Sequence, residues 1–246
     1  MYVRISICGG IYNMQNGDVM LAKLIEKVYW DAHGIEIDPW NLQRYLYFAE
    51  LESCVIAGNS ILENDIEYWS DVFCTPMVPC VFDWMISDEY EKDNGEIQVS
   101  FTAYYIVKKI IREMKNCTQL CIVLKISEQE AYQKARKRAE LAEIKEFYRK
   151  NDKLPIKDIK MSFRDIITSY DITEDAKEIR KKRGIIWYKE KERYLFLKEQ
   201  VRKEIGEDII TIGECSRLVD KVIEKYSGKG MIRQCYRTTQ SRGYIN

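Results

Sequence analysis

The sequence predicts a mainly α protein: a compact helical domain with at most a few short strands, followed by a basic helical C-terminal extension. Three observations lead there. Only 4 of 246 residues are proline, so few helix breaks are imposed. Lys, Glu, Leu and Ile are abundant, and apolar residues recur at steps of three and four along most of the chain. Past about Tyr170 the segment "TEDAKEIRKKRG" is polar except for Ala176 and Ile179, and the core is expected to end there. With 46% apolar residues, the chain can build that core without metal or disulfides.

Residues 18–32, "DVMLAKLIEKVYWDA", form the first amphipathic pattern, closed by Gly34. Asp38 then stands where it can cap free amides, and Pro39 suits the first helical position because its missing N–H would have no partner there. Leu42, Tyr45, Leu46, Ala49 and Val55, with Phe48 and Leu51, give that second helix a broad apolar face, and Gly58 a stop. "NDIEYW" alternates and is short, which predicts a small strand or extended segment. "CTPMVPCVFDWM" holds Pro76 and Pro79 in a turn, with Pro79 placed to begin another helix, and "SDEYEKDNGE" reads as an exposed loop. Residues 100–114 are expected as a core helix whose basic positions lie on the opposite face. Ser127 and Glu130 have the spacing of a capping box before a further helix. After Pro155, "IKDIKMSFRDIITSY" is expected as a short helix, and periodicity returns in Lys191 to Ile205 and Glu214 to Tyr226.

Charge is unevenly placed. Residues 1–124 carry 9 Lys and Arg against 18 Asp and Glu, and residues 125–246 carry 30 against 21. Such asymmetry can mean an acidic face for a basic partner, a basic face for a nucleic acid, or halves that attract one another. The eight cysteines include no C-x-x-C pair, and His33 is the lone histidine, so neither a metal nor any other cofactor is expected. The first residues lack the pattern of an export signal, and no apolar run nears the roughly 18 residues of a membrane span. A cytoplasmic protein with reduced thiols and no membrane partner is the expectation.

Catalytic candidates are few. His33 sits at a helix end, where a surface or capping role suits the dipole. Glu50, Glu52, Glu63, Asp65, Glu67 and Asp71 offer carboxylates, but no spacing singles out a pair for acid–base work, and they read as solvent-facing sides of a helix and a strand. No nucleophile elbow, phosphate loop or dinucleotide fingerprint occurs, and "SGKG" lacks the spacing of a Walker motif. Arg233, Tyr236, Arg237 and Arg242 in the tail are the candidates for nucleic-acid contact, with guanidinium groups for phosphates and tyrosine for stacking.

Residues from about 15 to 165 resemble the Panacea family of SocA- and GepA-like antitoxin and phage-associated proteins. The stretch that carries the resemblance is Leu42-Gln43-Arg44-Tyr45-Leu46-Tyr47-Phe48-Ala49-Glu50. It is followed by Ile66-Glu67-Tyr68-Trp69 and then by Pro76 and Pro79, in the family's order. Three departures stand out: the turn is about three residues longer than the family's, Thr75 replaces a glycine, and a histidine and a proline–tryptophan pair are missing near Lys125 to Ala135. The resemblance implies a helical domain over residues 1–165 and leaves 166–246 as a basic helical extension. It also implies a non-enzymatic, antitoxin-like protein that neutralises a bacterial or phage toxin or defence protein directly, or delivers it for proteolysis. Trp69, Phe73, Pro76, Pro79 and Trp84 are the candidate contacts, because aromatic and proline-bearing loops furnish interface anchors. The alternative is a nucleic-acid-binding regulator or phage anti-defence protein that uses the basic tail.

Overall fold

The computed structural model describes residues 17–69, 72–75, 78, 96–149, 164–206 and 208–227. These form eight helices: α1 Gly17–His33, α2 Pro39–Ile56, α3 Phe101–Met114, α4 Gln119–Ser127, α5 Glu130–Arg149, α6 Ser169–Arg183, α7 Ile185–Ile205 and α8 Glu214–Ser227. Five short strands join them: β1 Ile66–Trp69, β2 Val72–Cys74, β3 Gln98–Ser100, β4 Arg164–Ile167 and β5 Ile209–Thr211. They build an antiparallel three-stranded sheet in the order β2-β1-β4 and an antiparallel pair of β3 with β5. The protein is mainly α, as its periodicity predicts. Among the described residues no helix is long and apolar enough to cross a membrane.

Helix α2 is the axis of the fold. It starts as expected, with the Asn41 amide donating to Asp38 Oδ1 at 3.0 Å and Pro39 in the first turn. From Asn41 to Ile56 every residue but Arg44 is buried, so the helix has no solvent face and its apolar pattern is broader than one stripe. Helices α1, α3, α4, α6 and α7, with strand β2, pack around it. Gly34 and Gly58, at φ of 71° and 86°, take the left-handed backbone that ends α1 and α2 where the sequence places their stops.

Burying α2 on all sides buries its charges too. Glu52 accepts from both Nη atoms of Arg183 at 2.9 Å and from Lys109 Nζ at 2.8 Å. Lys109 also reaches Glu113 at 2.8 Å and lies 3.7 Å from Glu190. Four helices, α2, α3, α6 and α7, thus meet at one ionic cluster. Lys109 is 7% exposed, so one basic position of α3 faces the core, contrary to the expectation from its sequence. Burial acts against the Glu52 charge, but Arg183 and Lys109 outweigh it and leave the carboxyl below its ordinary pKa. Burial likewise acts against the Lys109 charge, and Glu52 and Glu113 outweigh it.

Two further carboxylates hold the chain after α2. Glu50 Oε2 accepts the amides of Ile61 and Leu62 at 2.9 and 3.0 Å, and Asp18 accepts those of Glu63 and Asn64 at 2.7 and 3.2 Å. The carbonyls at the end of α2, which have no partner within the helix, receive side chains from far along the chain. Arg180 donates to Cys54 O and Val55 O, and Trp187 Nε1 donates to Val55 O at 2.8 Å.

The core therefore does not end near Tyr170. Ile172, Ala176, Tyr194, Leu197, Val201, Ile210, Val219 and Val222 belong to the same buried cluster as Leu46 and Ile106. Residues 164–167 are strand β4, not helix, since Ile66 to Trp69 of β1 pair with them. The start of α5 is capped from a distance. Ser127 closes α4 and donates to Leu124 O, while Asp175 of α6 accepts the Ala131 amide at 2.9 Å. The capping box lies instead at the start of α6, between Thr168 and Asp171. Helix α4 was not apparent from sequence, although Thr118 caps it through the Cys121 amide at 3.3 Å.

Two outcomes follow from this charge arrangement. Glu52→Ala removes the common partner of Arg183 and Lys109 and is expected to lower stability in urea by roughly 3–5 kcal/mol. Glu50 behaves oppositely to Glu52, because burial raises its pKa above the ordinary 4.5. Its ionisation therefore works against the fold above the raised value and ceases to matter as pH falls to the unfolded value. Glu50→Gln is expected to gain stability relative to the parent near neutral pH, and that difference should shrink in melting scans taken toward pH 4.5.

Candidate partner-binding surface

Gln43 answers why a polar side chain stands in the first turns of a fully buried helix. The Thr75 amide donates to its Oε1 at 2.7 Å, and its Nε2 donates to Val78 O at 3.4 Å. One side chain thus holds both ends of the segment 75–78. This joins in space the two stretches that carry the sequence resemblance, residues 42–50 and 66–79. Arg44 is turned the other way: it donates to Asn41 Oδ1 at 3.1 Å and lies over the Trp40 ring, 5.8 Å from its centre. Asn41 in turn donates from Nδ2 to Asp38 Oδ2 at 2.6 Å, so the helix start is a continuous polar chain.

Strands β1 and β2 lie just before residue 75 in the sequence and form one sheet with β4. In β1, Ile66 and Tyr68 are buried and Glu67 is half-buried, the alternation expected of a strand with one face on the core. Trp69 pairs with Val72 on one side and Arg164 on the other, and Phe73 pairs with Tyr68. The register therefore sets position 73 on the face of buried Tyr68 and position 69 on the other face of the sheet. Pro76, Pro79 and Trp84 lie outside the described residues, as do Arg233, Tyr236, Arg237 and Arg242. Thr75 is buried, and its Oγ1 has no hydrogen-bond partner among the described residues.

The catalytic candidates resolve differently. Glu50 and Glu52 are buried, which corrects their reading as solvent-facing residues; one holds loop amides and the other two cations. Burial, aided by the neighbouring Glu50 charge, pushes the Cys54 thiol up to about 12, so it stays protonated and donates to Glu50 Oε1. Glu63 and Asp65 are exposed, and Asp71 lies outside the described residues. His33 stacks on Tyr29 with ring centres 4.2 Å apart. Among the described residues no group of three or more His, Cys, Asp and Glu side chains is placed to hold a metal ion.

No protein-family model, curated protein or solved structure matches this chain.

Sequence reasoning missed the polar anchors, Asp18, Gln43, Glu52 and Asp175. One signal was available: in "LQRYLYFAELESCVI" apolar residues occur at every helical angle, so Gln43, Glu50 and Glu52 had no polar face to occupy. Gln43→Ala leaves the Thr75 amide buried without its acceptor. It is expected to cost about 1–3 kcal/mol of stability, measured by urea unfolding.

Proposed function

We propose that this chain is a non-enzymatic binding protein of the Panacea kind. In this reading it is an antitoxin-like neutraliser, or an adaptor for proteolysis, of a bacterial or phage toxin or defence protein in the cytoplasm. The partner meets strands β1 and β2 and the residues that follow them, with Trp69, Pro76, Pro79 and Trp84 as its contacts, while Phe73 stands opposite buried Tyr68 and leaves the set.

The observation that carries this reading is the double hydrogen bond of Gln43 to residues 75 and 78. A binding loop fixed before the partner arrives loses less freedom on association, and affinity rises by that difference. Gln43 stands on a helix buried on all sides, so residues 75 and 78, on either side of Pro76 in the sequence, are tied to the centre of the fold. Trp69, one step from buried Tyr68, falls on the strand face turned from the core, and tryptophan is a residue type that dominates interface energies.

The test is co-expression with the protein encoded beside this one. Rescue of growth together with co-purification is expected, and a harmless neighbour that forms no complex would sink the reading. Trp69→Ala should weaken the complex by about 30-fold or more in calorimetry, while the separate chain keeps its helical signal.

A further inference from the structure

Helices α6 and α7 meet at a corner whose two sides have opposite chemistry. The inward side is clamped. Arg180 and Trp187 donate to the terminal carbonyls of α2, and Arg183 is paired with Glu52 and Glu190. Gly184, at φ 51°, turns the chain between the helices. From Lys181 to Lys189 every residue except Arg183 and Trp187 is exposed. Ile185 and Ile186 are 70% and 62% exposed, and Tyr188 is half in water. Two β-branched aliphatic side chains stand at the tip, with Lys181 and Lys182 before them and Lys189 after. None of the three clamping contacts requires them to be apolar.

Charge decides what could cover such a tip. Residues 177–193 hold eight Lys and Arg against three Glu; Lys177 is paired with Glu174 and Arg183 with Glu52 and Glu190, and Arg180 is turned to the α2 carbonyls, which leaves Lys181, Lys182 and Lys189 as the exposed cations flanking the isoleucines. The occupant must be anionic and must also take up aliphatic side chains. Nucleic acid supplies the charge, but it takes up an isoleucine only by unstacking a base step. The middle of a protein interface is poor in lysine, whereas lysines flanking apolar side chains are the composition of segments that lie at a lipid surface. Their long stems can run along the acyl boundary while the ammonium groups stay at the phosphates.

We infer that the α6–α7 corner docks on an anionic lipid surface. Ile185 and Ile186 enter the acyl boundary, and Lys181, Lys182 and Lys189 reach the headgroup phosphates. This contact needs no spanning helix. It lies on different residues from the proposed partner surface and goes beyond that reading, so each can fail without the other.

The test is flotation of the full chain with vesicles of phosphatidylcholine alone, and with about one third phosphatidylglycerol. Binding is expected only to the anionic vesicles and should fall steeply as salt is raised. Ile185→Ser with Ile186→Ser should weaken partition about tenfold or more, and Lys181→Glu with Lys182→Glu at least as much, since each lysine near an anionic surface contributes about fivefold. Both pairs are exposed, so melting temperature should be unchanged, which separates loss of docking from loss of fold. Absence of binding to the anionic vesicles overturns the inference. So does binding that neither pair of substitutions alters, because the remaining basic residues then account for it. Loss of a co-expressed protein from Ile185→Ser/Ile186→Ser, with no vesicle binding by the parent, would assign the corner to a protein and overturn it as well.

Discussion

A carboxylate removed from water must find cations, and Glu52 sets that condition at the middle of this molecule. Two nitrogens of Arg183 and one of Lys109 meet it, and each comes from a different helix. Apolar packing alone would let helices around α2 slide or rotate with small penalties, because hydrophobic contact has no direction. A shared carboxylate does have direction. It allows only arrangements in which α3 and α6 present their cations at the same height along α2, and Glu190 brings α7 to that level through Arg183. The cluster thus acts on register more than on net stability, consistent with the small or negative return of buried ion pairs compared with apolar packing.

The same logic recurs around α2 with other groups. Glu50 and Asp18 hold successive pairs of amides from residues 61–64, so the exit from α2 is fastened to α1 and to α2 itself. Gln43 fastens residues 75 and 78, and Asp175 supplies an amide acceptor at the start of α5. Residues 61–64, 75, 78 and 131 thus make hydrogen bonds with side chains distant in sequence. Backbone groups excluded from water need such partners, and here long-range side chains supply them beside the local turn bonds of residues 53–62.

That dependence explains what sequence could and could not reveal. Helices α1, α2, α3, α7 and α8 were legible because their apolar spacing and the stops at Gly34 and Gly58 are local properties. Strand β1 was legible from four alternating residues. The start of α5 was misread because a plausible local cap, Ser127, was available while the real acceptor lies 44 residues away. Residues 164–167 were misread because their strand character comes from pairing with β1. The polar run after Tyr170 looked like the end of the core, since Ile172, Ala176 and Ile179 are too few to suggest burial; Arg180 and Arg183 bury themselves only because α2 offers carbonyls and a carboxylate. Of the candidate surface, the aromatic positions were visible, and the residue that positions the turn was visible only as a polar anomaly.

The distance between Glu52 and Arg183, 131 residues along the chain, also orders events at the ribosome. Helix α2 emerges early and collapses with α1, but its glutamate has no guanidinium partner until most of the polypeptide has been made. Until then Lys109 is the cation within the chain already made that can meet it. A chain cut before Arg183 would leave the Glu52 carboxylate short of its bidentate partner, so such a fragment is expected to pack less tightly than the whole.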